Sequence, residues 1–263
     1  MDSNLKELFT KCFSIVKENT DLIKADFDKN SLNEREKLWN NVSPAFYVIG
    51  SEKTKKYFDE ESERLGFKKL LSYITPREEA FVKNIFKNNQ EMGSLQKWAT
   101  SVNPEQGKNM GCHFSHVIAA IDMIENNYTH AFVFEDDCKF KFDISDNFLS
   151  RLSEYIKLNI DKIPYLNIGS RDTVKINYEE FNVTKRSSSL THSYIMNLDC
   201  AKKLRDSVDV NIDIPKPLDM YFAKEQYYRG GADDFFYSYI ESYVMNPAIT
   251  YQQFIGTNIE RKT

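Results

Sequence analysis

Four consecutive apolar residues, Ala131-Phe-Val-Phe134, run directly into three acids, Glu135-Asp-Asp137. Few folds accept that junction. An apolar run this short and continuous reads as a strand covered on both faces, which calls for helices above and below a sheet. The acids must then sit where the strand leaves the core, because adjacent buried carboxylates repel and need a compensating partner.

The rest of the chain supplies the sheet and its cover. Ala45-Phe-Tyr-Val-Ile49, bounded by Pro44 and Gly50, reads as a second buried strand, and Ser51 can cap a charged helix to about Leu65. Thr75-Pro-Arg-Glu78 is a capping box that opens a helix to about Lys87. Residues 109–126 carry Met110, Phe114, Val117, Ile118, Ile121 and Ile124 at helical spacing. Helices are further predicted from Ser145 to about Leu158, from Asp199 to Val208 and from Asp234 to Ser242, with strands at Tyr165–Ile168, Ser193–Asn197 and Tyr243–Asn246. Strands alternating with helices predict an α/β domain over residues 43–263, with a mostly parallel central sheet flanked by helices. Helical spacing over 3–25 and a capping box at Ser31-Leu-Asn-Glu34 predict a helical N-terminal appendage, 1–42, that either mediates a homodimer or caps the domain.

Composition removes some functions. Lys plus Arg is 35 and Asp plus Glu 39, a net charge of −4, which excludes a generally basic nucleic-acid binder but permits one local anionic ligand. No stretch of about 18 apolar residues is present, so no membrane-spanning helix is expected. The charged start MDSNLKELFTK lacks an apolar signal core, and the expected location is the cytoplasm, either free or peripheral to a membrane. Cys12, Cys112, Cys138 and Cys200 are far apart, without a C-x-x-C pair. They read as reduced thiols and argue against zinc.

Three places carry candidate chemistry. Strand alternation puts Glu135 and Asp137 on one side and Asp136 on the other. Oxygen ligands at this density suit magnesium or manganese, whereas a solvated acidic loop is the bland reading. Just upstream, Cys112 and His116 are four apart, as are Gly111 and Ser115, so each pair shares a helix face. Later, Arg229-Gly-Gly is followed by Asp233 and Asp234, either of which could cap a helix or accept a proton, and Asp219 competes for that role. His192 is either a further ligand or a structural residue beside a strand.

Together these blocks resemble glycosyltransferase family 25, the lipooligosaccharide and collagen galactosyltransferase-like enzymes. The carrying residues are Phe46-Tyr-Val-Ile49, Gly111-Cys-His-Phe-Ser-His116, Ala131 through Glu135-Asp-Asp137, Ser193 through Leu204, and Asp233 through Gln252. Gly50-Ser51 departs from the family's Asn-Leu, and Lys53, Lys55 and Lys56 stand where arginines are expected. The resemblance implies a GT-A-like fold and a nucleotide-sugar donor, typically a UDP-sugar. It also implies inversion at the anomeric carbon. Its acceptor would be a glycan, a lipid-linked glycan or a hydroxylated protein. It further implies Asp137 and Glu135 as ligands of manganese or magnesium, with Glu135, Asp136, Ser115 and His116 facing the donor. Asp233, Asp234 or Asp219 would be the catalytic base. A metal-dependent phosphohydrolase and a non-catalytic nucleotide- or sugar-binding module are the competing classes.

Overall fold

The computed structural model describes residues 3–24, 32–75, 104–170, 181–186, 191–214 and 232–253. The expected helix after Thr75 and the candidate Asp219 lie outside the described residues.

An eight-stranded sheet forms the centre, in the order β1-β3-β2-β4-β9-β6-β10-β8. Its strands are β1 (Asp21–Lys24), β2 (Pro44–Ile49), β3 (Leu71–Thr75), β4 (His130–Glu135), β6 (Tyr165–Asn167), β8 (Asn182–Lys185), β9 (Ser193–Asn197) and β10 (Ser242–Asn246). A second sheet, ordered β5-β11-β7, joins β5 (Cys138–Phe140), β7 (Gly169–Ser170) and β11 (Thr250–Gln252). The helices are α1 (Ser3–Glu18), α2 (Glu34–Asn40), α3 (Glu52–Leu65), α4 (Pro104–Glu125), α5 (Asp146–Asn159), α6 (Leu198–Asp206) and α7 (Ala232–Tyr239). Among the described residues no helix is long and apolar enough to cross a membrane.

Alternation along the central strands builds two cores. Phe46, Val48, Phe132 and Phe134 face Trp39 of α2, Phe58 and Leu65 of α3, and Phe148, Leu152 and Ile156 of α5. Ala45, Tyr47, Ile49, Ala131 and Val133 face Val117, Ala120 and Met123 of α4, with Ala201 and Leu204 of α6 and Phe235 and Phe236 of α7. The first layer is aromatic: Phe46 stacks on Phe67 at 4.3 Å and on Phe132 at 4.6 Å. Burying one such ring contributes about 1.5–3 kcal/mol, so this layer fixes the register of β2 against β4. On its other side α4 holds Phe9, Cys12 and Val16 of α1 against Met110 and Phe114.

The expected mostly parallel sheet is instead mixed. β2 pairs parallel with β3 and β4, and β10 parallel with β6. β9 runs antiparallel to both neighbours, β4 and β6, and both sheet-edge strands, β1 and β8, are antiparallel. A parallel neighbour needs a crossover, typically a helix. β9 instead enters from the opposite end, antiparallel to β4 and β6. The N-terminal segment also differs from its expectation. The predicted helix over 3–25 stops at Glu18, and Asp21–Lys24 joins the main sheet through β3. Lys24 Nζ pairs with Asp122 of α4 at 2.8 Å, and the same carboxylate accepts from buried Tyr47 at 2.6 Å. The cap of α2 is Asn33 with Glu36, in place of Ser31 with Glu34.

Candidate active site

Beyond the carboxyl ends of β2 and β4 lies a cleft of about 270 Å³, lined by Ile49, Gly50, Ser51, Cys112, Glu135, Asp136 and Asp137. Strand ends of an open α/β sheet are the usual ligand position, because side chains there leave the core without breaking the ladder. The three acids of the sequence junction therefore all reach one cavity.

Each acid is held differently. Glu135 ends β4 on the α4 side, and its amide donates to the His192 carbonyl at 2.8 Å. Its Oε1 lies 3.1 Å from His116 Nε2 and accepts from the Thr191 hydroxyl at 2.6 Å. Burial alone would raise this carboxyl, but the His116 and Thr191 bonds outweigh it and hold Glu135 below the ordinary glutamate value. His116 is fully buried, and its Nδ1 meets the Tyr194 hydroxyl at 2.7 Å. Burial pushes the Tyr194 phenol well up, so it stays protonated and donates; His116 then presents its Nε2–H to Glu135.

Strand alternation ends at Glu135, because Asp136 and Asp137 form a turn, and Asp136 lies on the β2 side of the same cleft. Ser51 N–H donates to it at 3.3 Å. A Cβ on Gly50 would lie 2.4 Å from the Asp136 Cβ, so only glycine lets the acidic turn approach β2 this closely. Asp136 is raised by burial and by the Glu135 charge, against the Ser51 bond.

Asp137 closes the turn between β4 and β5, directly before the second sheet. The register Gln252↔Cys138 brings Gln252 beside it, and Gln252 Nε2 donates to Asp137 Oδ2 at 2.7 Å. Gln253 N–H donates to the Asp137 carbonyl at 2.7 Å. Its other oxygen, Oδ1, is buried with no hydrogen-bond donor among the described residues. Burial first, then the Glu135 and Asp136 charges, lift this carboxyl from 3.8 to about 6, with Gln252 opposing.

A fourth carboxylate comes from α7. Asp233 lies in the first turn of that helix, which begins earlier than predicted, and it accepts from the backbone N–H of Thr191, whose hydroxyl gives its one hydrogen to Glu135. Part of the residue stays open to solvent, yet crowding of the carboxylate and then the Glu135 charge raise it to about 6 against Thr191 and His116. Thr191 thus ties Glu135 to Asp233.

The remaining sequence candidates are placed otherwise. Ser115 is fully buried and gives its hydroxyl to the Gly111 carbonyl at 2.8 Å, so it does not line the cleft. The side chain of Asp234, like Asp219, is outside the described set. His192 is buried behind Glu135, and a Cβ on Gly169 would lie 2.2 Å from its Nε2. Sequence reasoning assigned nothing to Thr191 or Gln252. Gln252 carried a signal, since it closes the last family-like block; Thr191 carried none.

A mixed α/β sheet covered by helices, with clustered carboxylates at its strand ends, is the build of a small-ligand-binding α/β domain. The profile of glycosyltransferase family 25 (LPS biosynthesis protein) matches residues 79–222, just over half of the chain. The chain belongs to this family and is by family a glycosyltransferase, with a sugar donor and an acceptor. The matched span contains the Gly111–His116, Glu135–Asp137 and Ser193–Leu204 blocks, and ends before Asp233 and Gln252. No curated protein sequence matches the chain.

Proposed function

We propose that this chain is a metal-dependent glycosyltransferase that moves a sugar from a UDP-sugar to an acceptor hydroxyl, with inversion. Asp137 carries the proposal. Its Oδ1 is buried with no donor among the described residues, beside the Glu135 and Asp136 carboxylates in the same cleft. An orphaned buried carboxylate oxygen is costly unless something cationic meets it. An all-oxygen set fits a hard dication such as manganese or magnesium. Asp137 and Glu135 would hold that ion. Bound there, it would supply Lewis-acid stabilisation of the departing diphosphate.

The protein's own groups do the rest. Gln252 fixes the Asp137 rotamer through Oδ2, and the His116 and Thr191 bonds fix Glu135 through Oε1. Asp136, anchored on Ser51 N–H, lines the β2 side of the cleft. Asp233 is the proposed base: at about 6 its carboxyl is ionised at neutral pH yet more basic than an ordinary aspartate, as proton removal from an acceptor hydroxyl requires. Inversion is the outcome of one direct displacement in which Asp233 takes the acceptor proton. The family description favours a glycan or lipid-linked glycan acceptor.

A panel of UDP-sugars with manganese tests the reading by release of UDP. Turnover is expected to need the metal and to fall at least about 100-fold in Asp137→Ala, in keeping with loss of electrostatic stabilisation. Undiminished turnover in excess chelator would refute it.

A further inference from the structure

The same cleft carries a second donor set of different chemistry. Cys112 offers a sulfur, His116 a ring nitrogen and Glu135 an oxygen, all within 4.8 Å of one another. We propose that Cys112, His116 and Glu135 form a zinc site that excludes the hard dication by taking Glu135.

The sequence argued against zinc because no two cysteines have ligand spacing. The fold assembles the set another way: one helical turn of α4 presents Cys112 and His116 together, and the end of β4 brings Glu135 to them. Sulfur, nitrogen and a single oxygen are a borderline-soft combination, which favours zinc over magnesium or manganese. Zinc bonds of about 2.0–2.3 Å in a tetrahedron place ligand atoms about 3.5 Å apart. His116 Nε2 and Glu135 Oε1 are already at 3.1 Å, and no ligand pair, at 4.8 Å or less, has to close by more than about 1.3 Å.

The surroundings match a metal-bound histidine. Such a ring is oriented by a partner on its other nitrogen, and Tyr194 occupies that position at 2.7 Å from Nδ1. On binding, the Cys112 thiol loses its proton to solvent. The His116 ring takes the tautomer with its proton on Nδ1, which then donates a hydrogen bond to the Tyr194 oxygen as the phenol hydrogen rotates away. Cys112 is part-exposed and lines the cleft, so an ion has a path in, whereas Cys12, Cys138 and Cys200 are buried.

The test uses the full chain stripped of metal, with cobalt(II) standing in for zinc. One equivalent is expected to give a thiolate-to-cobalt charge-transfer band that zinc bleaches. Cys112→Ser is expected to lose the band while its near-ultraviolet circular dichroism stays native; a surviving band overturns the site. On the wild-type chain, zinc is expected to slow iodoacetamide alkylation of Cys112 at least about tenfold, read by peptide mass spectrometry, since the bound thiolate is no longer a free nucleophile. An unchanged rate overturns the proposal even if the variant misfolds. Tyr194→Phe should weaken zinc roughly 10–100-fold, the usual cost of losing an orienting partner. These measurements contain no nucleotide sugar, so they stand or fall apart from the transferase reading. Only the exclusion of manganese rests on that reading: zinc is expected to release bound manganese into its free spectrum by electron paramagnetic resonance, and simultaneous occupancy overturns the shared ligand.

Discussion

Replacing Asp137 by Asn should stabilise the metal-free protein above pH 6 and leave it unchanged near pH 4. Folding lifts the Asp137 carboxyl from 3.8 to about 6 through burial and the neighbouring charges of Glu135 and Asp136. Because the folded state holds this proton more tightly than the unfolded one, the ionised carboxylate opposes folding. That penalty is absent below about pH 4, grows as pH rises toward 6 and is complete above it. At about 1.36 kcal/mol per pKa unit the ceiling is about 3 kcal/mol, and partial solvent exposure reduces it to about 1–2 kcal/mol. Asn keeps an oxygen for Gln252 and removes the charge. Urea denaturation with chelator, from pH 4 to 8, should therefore show a gap that opens with pH, equivalent to a Tm gain of roughly 2–6 °C at pH 7.5. Saturating manganese should reverse the ranking, because only the wild-type chain gains binding energy. A gap independent of pH, or a variant less stable at pH 7.5 without metal, would refute the reasoning.

Thr191→Val should cost about 1–3 kcal/mol in denaturation, since Glu135 loses a hydroxyl donor while remaining part-buried, and Thr191→Ser should restore most of it. Gly50→Ala should lower Tm, because the new methyl meets Asp136 at 2.4 Å, and should weaken UDP binding measured by calorimetry; wild-type values for both would contradict the close-approach argument. His130 is buried and held down to about 4, and its Nε2 has no partner among the described residues. Its unfolded form takes up a proton first, so stability should fall as pH drops from 6.5 toward 4, by up to about 3 kcal/mol. His130→Gln should flatten that acid limb in a pH series of melts.

The core strands and most helices were legible because their signals are local. Ala131–Phe134 and Ala45–Ile49 are uninterrupted apolar runs, and both are fully buried strands. Ser145 caps α5 through the Phe148 amide as its sequence suggests. What escaped depends on pairing across the chain. β1, β3, β5, β7, β8 and β11 are two to five residues long and are polar or interrupted, unlike the equally short β9 and β10, whose Tyr-Ile-Met and Tyr-Val-Met runs could be read. The reversed direction of β9 had the largest consequence for the site. A parallel β9 would put its carboxyl end beside Glu135; reversed, its amino end is there, and Thr191 and His192 arrive with it. The acids Glu135–Asp137 and His116 were found because they adjoin readable elements, whereas the roles of Thr191 and Gln252 exist only in the folded register. Ser115 shows the converse: it shares a helix with His116, but its hydroxyl turns back to the Gly111 carbonyl.

Manganese titrated by calorimetry into the protein with UDP present, wild type beside Asp137→Ala, bears most directly on the acidic turn as a cation holder. The expected result is one ion per wild-type chain, UDP binding that strengthens with it, and loss of both in the variant. Equal manganese and UDP affinities in the two proteins would contradict the account.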